Sequence, residues 1–371
     1  MSGKIMRYYI IAGEASGDLH GSNLIRALHE QDSYAEIHCW GGDRMQAAGA
    51  TLVKHYRELA FMGFVEVLIH LKTILSNIDF CKKDITLFKP DVLVLIDYPG
   101  FNMRIAEWAK KAGIKVVYYI SPQIWAWKEN RVHKIKRDVD KMLVILPFEV
   151  DFYKKWDFDV TYVGHPLVEV VRQEKENVPV IPISGKPIIA LLPGSRAQEI
   201  KVKLPIMLQM VKRFPQYCFV VAQASALPDS LYKEIICDSD VLLVKDQAYN
   251  LLKQARAGLI TSGTATLETA LFGLPQVVCY KGNALSFWLA TKLVKVKYIS
   301  LVNLIMDKPV VTELIQDQLN ENNLKEALSR LLQDAEYKAE LARDYDTLWH
   351  KLGDKPASQN AAREIIALMT E

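Results

Sequence analysis

The stretch Tyr8-Tyr9-Ile10-Ile11-Ala12-Gly13-Glu14-Ala15-Ser16-Gly17-Asp18-Leu19-His20-Gly21 decides the fold. An unbroken run of aromatic and aliphatic residues, then a glycine, then a more polar segment reads as a strand buried on both faces that turns directly into a helix. Gly13, Gly17 and Gly21 recur at every fourth residue, which is not the spacing GxGxxG. The dinucleotide fingerprint is absent, and a dehydrogenase loses its main support. What remains is a tight turn in which Ser16 or Asp18 can cap the following helix. Its free N–H groups would face a ligand at the carboxyl edge of a sheet, although the spacing alone fits an ordinary turn equally well.

The same alternation continues outward. Short apolar runs at residues 36–40, 91–96, 114–119, 142–145 and 160–163 are separated by amphipathic stretches, and after a break the runs resume at 187–192, 217–221, 241–244, 258–261 and 275–278. Continuous apolar strands with helices between them imply parallel sheets covered on both faces. The break, residues 174–186, is rich in charge, proline and glycine and reads as a linker. The expected architecture is therefore α/β, two doubly wound parallel-sheet domains at residues 1–173 and 187–350. A helical tail follows from about residue 322, and its last part, residues 351–371, is free to pack on the first domain or on a partner.

Composition narrows the function. With 46 Lys plus Arg against 43 Asp plus Glu, the formal charge is +3, too small for a nucleic-acid coat protein. No apolar run approaches the roughly 18 residues needed to span a bilayer. The N-terminal apolar stretch runs into Gly13-Glu14 without a small-residue cleavage site, so it reads as a strand and not as a signal peptide. Five scattered cysteines without a CxxC pair argue for reduced thiols, against a disulfide framework and against a zinc site.

Three further strand ends carry chemistry. Leu95-Ile96-Asp97-Tyr98-Pro99-Gly100-Phe101-Asn102 puts an acid directly after an apolar strand, where it can take a proton from an attacking hydroxyl. A cap for a helix starting near Asn102 is the plainer reading, but Gly100 or Asn102 can serve there. Leu192-Pro193-Gly194-Ser195-Arg196 places an arginine at a helix start, and its fixed donor fork suits a diphosphate and stays charged without a metal. Thr261-Ser262-Gly263-Thr264-Ala265-Thr266-Leu267-Glu268 repeats the pattern: the N–H groups at residues 263–265 can cradle phosphate, and Glu268, one turn on, can bind ribose hydroxyls. Two such turns in one domain point to a nucleoside diphosphate. Aromatics at residues 118–127 followed by the basic stretch 131–137 suggest RNA only weakly, and a solvated basic helix is preferred. Four Asp-x-Asp triplets look like chance in this composition; neither a metal nor an organic cofactor is expected.

Taken together, GEASGDLHG, MGFVEVL, PDVLVLID with PGFN, YYISPQIWAWK, LPFE, VGHPL, LLPGSR with its following Glu, SGTATLE and ISLVNLI resemble the lipid-A-disaccharide synthases, glycosyltransferase family 19. The likeness runs in order from about residue 8 to about 315. It implies a GT-B glycosyltransferase whose two domains face a central cleft, with acceptor and lipid on the first domain and UDP-sugar on the second. It implies transfer of diacylglucosamine from UDP-2,3-diacylglucosamine to 2,3-diacylglucosamine 1-phosphate, giving the β-1,6 disaccharide 1-phosphate and UDP, by a cytoplasmic enzyme peripheral on the inner membrane. One departure stands out: the family often carries a second acid where this chain has Gly100, so Asp97 stands alone as the base. Arg196 and the turns Gly194-Ser195 and Ser262–Ala265 would hold the diphosphate, Glu268 the ribose, and Gly13, Ser16, Gly17 and Asp18 the acceptor or a phosphate. By resemblance alone, Asn303 also belongs to the active site; its plainer role is a helix cap.

Both substrates carry acyl chains, so the expected partners include a membrane surface but no nucleic acid, with a homodimer as an option. At about 100° per residue, Phe64, Val67, Leu68, Leu71, Ile74, Leu75 and Ile78 form one stripe expected to face the core, with Val65 and Ile69 on the opposite side. Met62, Val65 and Ile69 are one set of expected lipid contacts; Phe287 and Trp288 with Lys292 and Lys295 are the other. Two rival readings remain at this level: a UDP-sugar 2-epimerase of the same architecture, and a non-catalytic nucleotide- or RNA-binding protein.

Overall fold

The structure, a computed structural model, describes residues 5–58, 71–127, 129–224, 227–237, 239–282, 297–353 and 356–370. The chain forms two compact units, Met1–Pro166 with Asp354–Glu371, and Leu167–Gly353. Each is built on one all-parallel sheet among the described residues.

The first unit has seven strands in the order β3-β2-β1-β4-β5-β6-β7. These are β1 (Arg7–Ala12), β2 (Glu36–Gly41), β3 (Thr51–His55), β4 (Val92–Ile96), β5 (Lys115–Tyr119), β6 (Lys141–Val144) and β7 (Thr161–Tyr162). Alternate residues of β1 feed opposite faces. Tyr9 and Ile11 join a cluster with Leu93, Leu95 and Phe101, whereas Tyr8, Ile10 and Ala12 join Leu24, Ile25 and Leu28. Both faces are dry, so the strand needs apolar residues at every position, which is the pattern the sequence displays.

The second unit has six strands in the order β10-β9-β8-β11-β12-β13: β8 (Ile188–Leu192), β9 (Cys218–Gln223), β10 (Val241–Lys245), β11 (Ala255–Thr261), β12 (Gln276–Tyr280) and β13 (Thr312–Ile315). Ile188, Ala190, Leu192 and Ile260 pack with Leu251 and Leu252 in its core.

The division between units falls before the helix Pro166–Asn177, earlier than the linker expected at residues 174–186. That helix is tied to the second unit: Lys175 donates to the carbonyl of Leu271 at 2.8 Å and Lys253 donates to that of Glu174 at 2.5 Å. The final helix Ala357–Thr370 returns to the first unit, where Ala361, Ala362 and Ile365 are buried against the face containing Tyr8 and Ile10.

The expected stripe over residues 64–78 is corrected where it is described. In the helix Leu71–Phe88, Ile78 is buried and Ile74 half-buried, but Leu75 is 51% exposed. The buried line runs Ile74, Ile78, Cys81, Ile85, Phe88, alternating steps of four and three. Met62, Val65 and Ile69, and Phe287, Trp288, Lys292 and Lys295, lie outside the described residues.

Candidate active site

In both sheets the strand order reverses next to the first strand of the unit, between β1 and β4 and between β8 and β11. Open α/β sheets bind ligands at the carboxyl ends of the strands flanking such a switch point. The register places the sequence motifs there. Ala12 pairs with Ile96, so Gly13 and Asp97 emerge side by side. Leu192 pairs with Ile260, so the turns containing Gly194 and Gly263 emerge side by side in the second unit.

In the first unit the chain leaves β4 through two consecutive left-handed residues, Asp97 at φ 44° and Tyr98 at φ 47°. Non-glycine residues there cost on the order of 1–3 kcal/mol each and persist only when their surroundings over-determine them. Here the surroundings do. The buried Asn102 amide donates to the carbonyls of Ile96 at 3.2 Å and Asp97 at 2.8 Å, and the Tyr118 hydroxyl donates to the Asp97 carbonyl at 2.6 Å. Asp97 N–H donates to Tyr119 at 3.2 Å. With its backbone pinned, the Asp97 carboxylate faces a pocket of about 320 Å³ lined also by Pro99, Ile120, Ser121, Gln123 and Glu149. Ile120, a β-branched residue at φ 65°, adds a further strained position on the same wall. The following helix starts at Pro99 with Tyr98 as its N-cap, so Asp97 is not a helix cap and neither are Gly100 and Asn102. Burial pushes the Asp97 carboxyl up to about 6, helped by the Glu14 carboxylate and opposed by a hydrogen bond from the Tyr98 N–H. That value suits a base near neutral pH.

Glu149, which the sequence reading passes over, shares this pocket. It is 1% exposed, and its carboxylate accepts from the N–H groups of Leu146 at 2.9 Å and Ile145 at 3.3 Å and from Trp125 Nε1 at 3.2 Å. It stands at the third position of the helix Pro147–Lys154 and ties the loop after β5 to the end of β6. The N-cap is Leu146, so no Ser/Thr-x-x-Glu signature announces it.

The turn after β1 divides into two parts. The helix Ala15–Gln31 begins after Glu14, which is extended, and neither Ser16 nor Asp18 caps it. Asp18 is buried, and its carboxylate accepts from the N–H groups of Gly42 at 2.7 Å, Met45 at 3.1 Å and Arg44 at 3.2 Å, so it caps the helix Asp43–Ala47 instead. Gly17 is also buried, where a Cβ would meet the Ala12 Cβ at 3.0 Å. Gly17 and Asp18 are thus packing and capping residues, and of Ser16, Gly17 and Asp18 only Ser16 is exposed.

In the second unit, Gly194 has φ 126°, and a Cβ there would come within 2.3 Å of Glu199 Oε2. Ser195 and Arg196 are exposed, and Arg196 is the extended N-cap of the helix Ala197–Arg213. Glu199 lies 3.5 Å from Arg196 on one side and 3.7 Å from Lys203 on the other. Lys203, 3% exposed, also donates to the Thr261 hydroxyl at the end of β11. Burial lowers its pKa, with Glu199 opposing. This lysine links the two glycine turns from behind, and the sequence gives no hint of it, since Lys-Val-Lys in an amphipathic helix reads as solvated. Gly263, at φ 142°, is the N-cap of the helix Thr264–Leu271, with open space around it. The Ser262 hydroxyl is committed to the Ile299 carbonyl at 3.0 Å, leaving backbone groups and the exposed Thr264 to face a ligand. Glu268 accepts from the Tyr249 hydroxyl at 2.7 Å through one oxygen, and burial raises its pKa.

Asn303 is 1% exposed and its amide makes three hydrogen bonds. Nδ2 donates to Val311 O at 3.0 Å and Glu313 Oε1 at 2.9 Å, and Oδ1 accepts from Val311 N–H at 2.9 Å. Ser300, not Asn303, caps the helix Leu301–Met306. Asn303 therefore pins the start of β13. Among the described residues no group of three or more His, Cys, Asp or Glu is arranged to hold a metal ion. Asp140, from one Asp-x-Asp triplet, accepts from Val116 N–H at 2.9 Å and from Lys110 at 2.6 Å.

Two doubly wound units with ligand turns at their switch points are the architecture of GT-B glycosyltransferases. Solved structures share it: the glycotransferase of kitacinnamycin (TM-score 0.68, 14% identity, 100% of both chains) and the calicheamicin glycosyltransferase CalG4 (0.62, 16%, 99% of both chains). A UDP-GlcNAc 2-epimerase from Neisseria meningitidis bound to UDP-GlcNAc has the same fold (0.65, 13%, 98% of this chain and 100% of that one). Identities this low show the fold alone. The sequence decides within it: the chain belongs to the lipid-A-disaccharide synthetase family, whose model matches residues 8–368. It is 39% identical to the lipid-A-disaccharide synthase of Trichlorobacter lovleyi over 100% of this chain and 99% of that one, and 38% identical to that of Geobacter metallireducens over 98% and 97%. It is a hexosyltransferase of lipid A biosynthesis, and the epimerase and non-catalytic readings are not favoured.

Proposed function

We propose that the chain transfers 2,3-diacylglucosamine from UDP to the 6-hydroxyl of 2,3-diacylglucosamine 1-phosphate, inverting the anomeric centre, with Asp97 as the base. The observation that carries the assignment is the Asp97 carboxylate, held at the switch point by a pinned, left-handed backbone and raised to about 6. Inversion needs one in-line attack. As the acceptor oxygen bonds to the anomeric carbon, its proton passes to Asp97 and the bond to UDP breaks, leaving its electron pair on the diphosphate. Arg196, held by Glu199, and the N–H groups at residues 194–195 and 263–265 stabilise that developing charge by preorganised electrostatics. The free oxygen of Glu268 accepts from the ribose. On the acceptor side, the exposed Ser16 bounds the sugar, while Gly13, buried under the Tyr98 ring, sets the turn.

Among the described residues no helix is long and apolar enough to cross a membrane. The acyl chains are reached by reversible contact with the cytoplasmic face of the inner membrane, through the patches around Val65 and Ile69 and around Trp288. Incubation with UDP-2,3-diacylglucosamine and acceptor, followed by mass spectrometry, tests the reading. UDP and a disaccharide 1-phosphate are expected; UDP-sugar consumption without acceptor would overturn it in favour of epimerase-like chemistry.

A further inference from the structure

We propose that a second cavity of the first unit, beside the Asp97 pocket, is an anion site that receives the phosphomonoester of the acceptor sugar. This rests on the reading above and names what that site does with the far end of its substrate. The cavity measures about 640 Å³ and is walled by Pro99, Gly100, Met103 and Arg104 from one helix and by Arg131 and Lys134 from the segment after β5. Pro99 lines both this cavity and the Asp97 pocket, so the two spaces abut. The helix Pro99–Lys111 starts at the carboxyl edge of β4, so Pro99 and Gly100 bring one end of the cavity to the ligand edge of the sheet.

Its charge is one-sided. Arg104, Arg131 and Lys134 line it together with one carboxylate, Glu107. That carboxylate is already matched outside the cavity by Lys111 at 2.9 Å and Arg137 at 3.7 Å. Arg104 donates from Nη1 to the Gly100 carbonyl at 2.5 Å, which holds its guanidinium near the start of the helix. Gly100 itself has nothing within 4 Å of where a Cβ would stand, so that wall is open. The basic stretch at residues 131–137 thereby splits in two. Lys136 and Arg137 are committed to the Trp156 carbonyl and the Asp138 carboxylate, whereas the exposed Lys134 lines the cavity. Arginine donors in a recess suit the three oxygens of a phosphomonoester. An acceptor whose 6-hydroxyl lies at Asp97 carries its 1-phosphate on the far side of the pyranose ring, so the phosphate needs a site next to the Asp97 pocket and not within it. A lipid headgroup offers similar phosphate chemistry, and the experiment separates the two sources.

The variants are Arg104→Gln, Lys134→Gln and the double change, both positions being exposed. Steady-state kinetics would be run with the 1-phosphate acceptor and with the same sugar lacking phosphate. The double variant should raise KM for the 1-phosphate acceptor about thirtyfold or more, leave KM for UDP-sugar within about twofold, and behave like the wild type toward the phosphate-free acceptor. Titration calorimetry with glucosamine 1-phosphate should show the same loss of affinity without any turnover. An unchanged acceptor KM, or an equal loss with the phosphate-free acceptor, would overturn the assignment. So would lost binding to phosphatidylglycerol vesicles alongside unchanged acceptor kinetics, which would mark a headgroup site. A wild type that makes no disaccharide refutes the functional reading itself, and the calorimetry then still reports on the cavity.

Discussion

Gly13 lies under the ring of Tyr98: a Cβ on Gly13 would stand 2.3 Å from Tyr98 Cγ and 2.4 Å from Cδ1. The contact joins the turn after β1 to the left-handed residue that follows Asp97. The clash is at the root of the ring, so no rotation of a flexible end relieves it. Gly13→Ala must displace Tyr98 and, with it, the adjacent Asp97. We expect a stability loss of about 1–3 kcal/mol, the usual cost of overpacking, together with a fall in kcat larger than the rise in either KM. Urea denaturation and steady-state kinetics check both. A variant with wild-type kcat would show that the ring position does not set the base.

Asp97 gives a pH prediction. As a base it works only when ionised, and its folded value of about 6 lies well above the ordinary 3.8. Activity should therefore fall as pH drops through about 6, and kcat/KM measured from pH 5 to 8 should show that limb. Asp97→Asn should lose about a hundredfold or more in kcat while UDP affinity, measured by calorimetry, is kept. Near-normal turnover of the variant would end the assignment.

The diphosphate site as read consists of Arg196 and backbone N–H groups. EDTA should leave activity unchanged, and Arg196→Ala should weaken UDP binding while lowering kcat further. Loss of activity on chelation, restored by Mg²⁺, would require an acidic ligand pair that this site does not contain.

Asn303 separates a holding role from a chemical one. Its amide satisfies Val311 on both sides and one oxygen of Glu313. Asn303→Ala leaves those buried groups unpaired, which costs about 1–3 kcal/mol for each such group. We expect a lower urea midpoint with kcat of the folded enzyme within about threefold of the wild type, as for a residue that binds no reacting atom. A kcat loss at unchanged stability would instead place the amide on the substrate.

Most strands legible in the sequence are covered on both faces, because continuous apolar runs follow directly from two dry faces. β3 and β13 escaped because these edge strands, Thr51–His55 and Thr312–Ile315, are mixed in polarity and mostly half-exposed, whereas the edge strands β7 and β10 were legible because their short runs are almost wholly apolar or aromatic. Gly13, Asp97, Gly194 and Gly263 could be found because a strand end followed by a glycine or an acid is a local pattern. Glu149 and Lys203 could not, because their partners are remote or lack a signature. Asp18 looked like a ligand of the turn, yet its partners lie 24–27 residues onward at the end of β2. Leu75 illustrates the same limit, since a clean helical stripe says which residues share a face but not where that face stops being covered.

Glu149 supplies the last prediction. Burial pushes its carboxyl from 4.5 up to about 7, against the opposing hydrogen bonds from Leu146, Trp125 and Ile145. An acid whose folded value lies above its unfolded one binds its proton more tightly when folded. Its contribution to stability is therefore full below about pH 4.5 and is lost as pH rises through about 7. Asp97 adds a slope of the same sign between 3.8 and about 6, so the wild type alone cannot separate them. Glu149→Gln can. It keeps an acceptor for the N–H groups but does not titrate, and its stability relative to the wild type should improve by roughly 1–3 kcal/mol between pH 5 and pH 8. The measurement is urea denaturation of both proteins at the two pH values. Asp97→Asn should show a smaller gain over the same interval, because its own window closes near pH 6 and only the part above pH 5 is sampled. A stability difference between Glu149→Gln and wild type that is the same at both pH values would mean the carboxylate is ionised throughout and serves only as a cap.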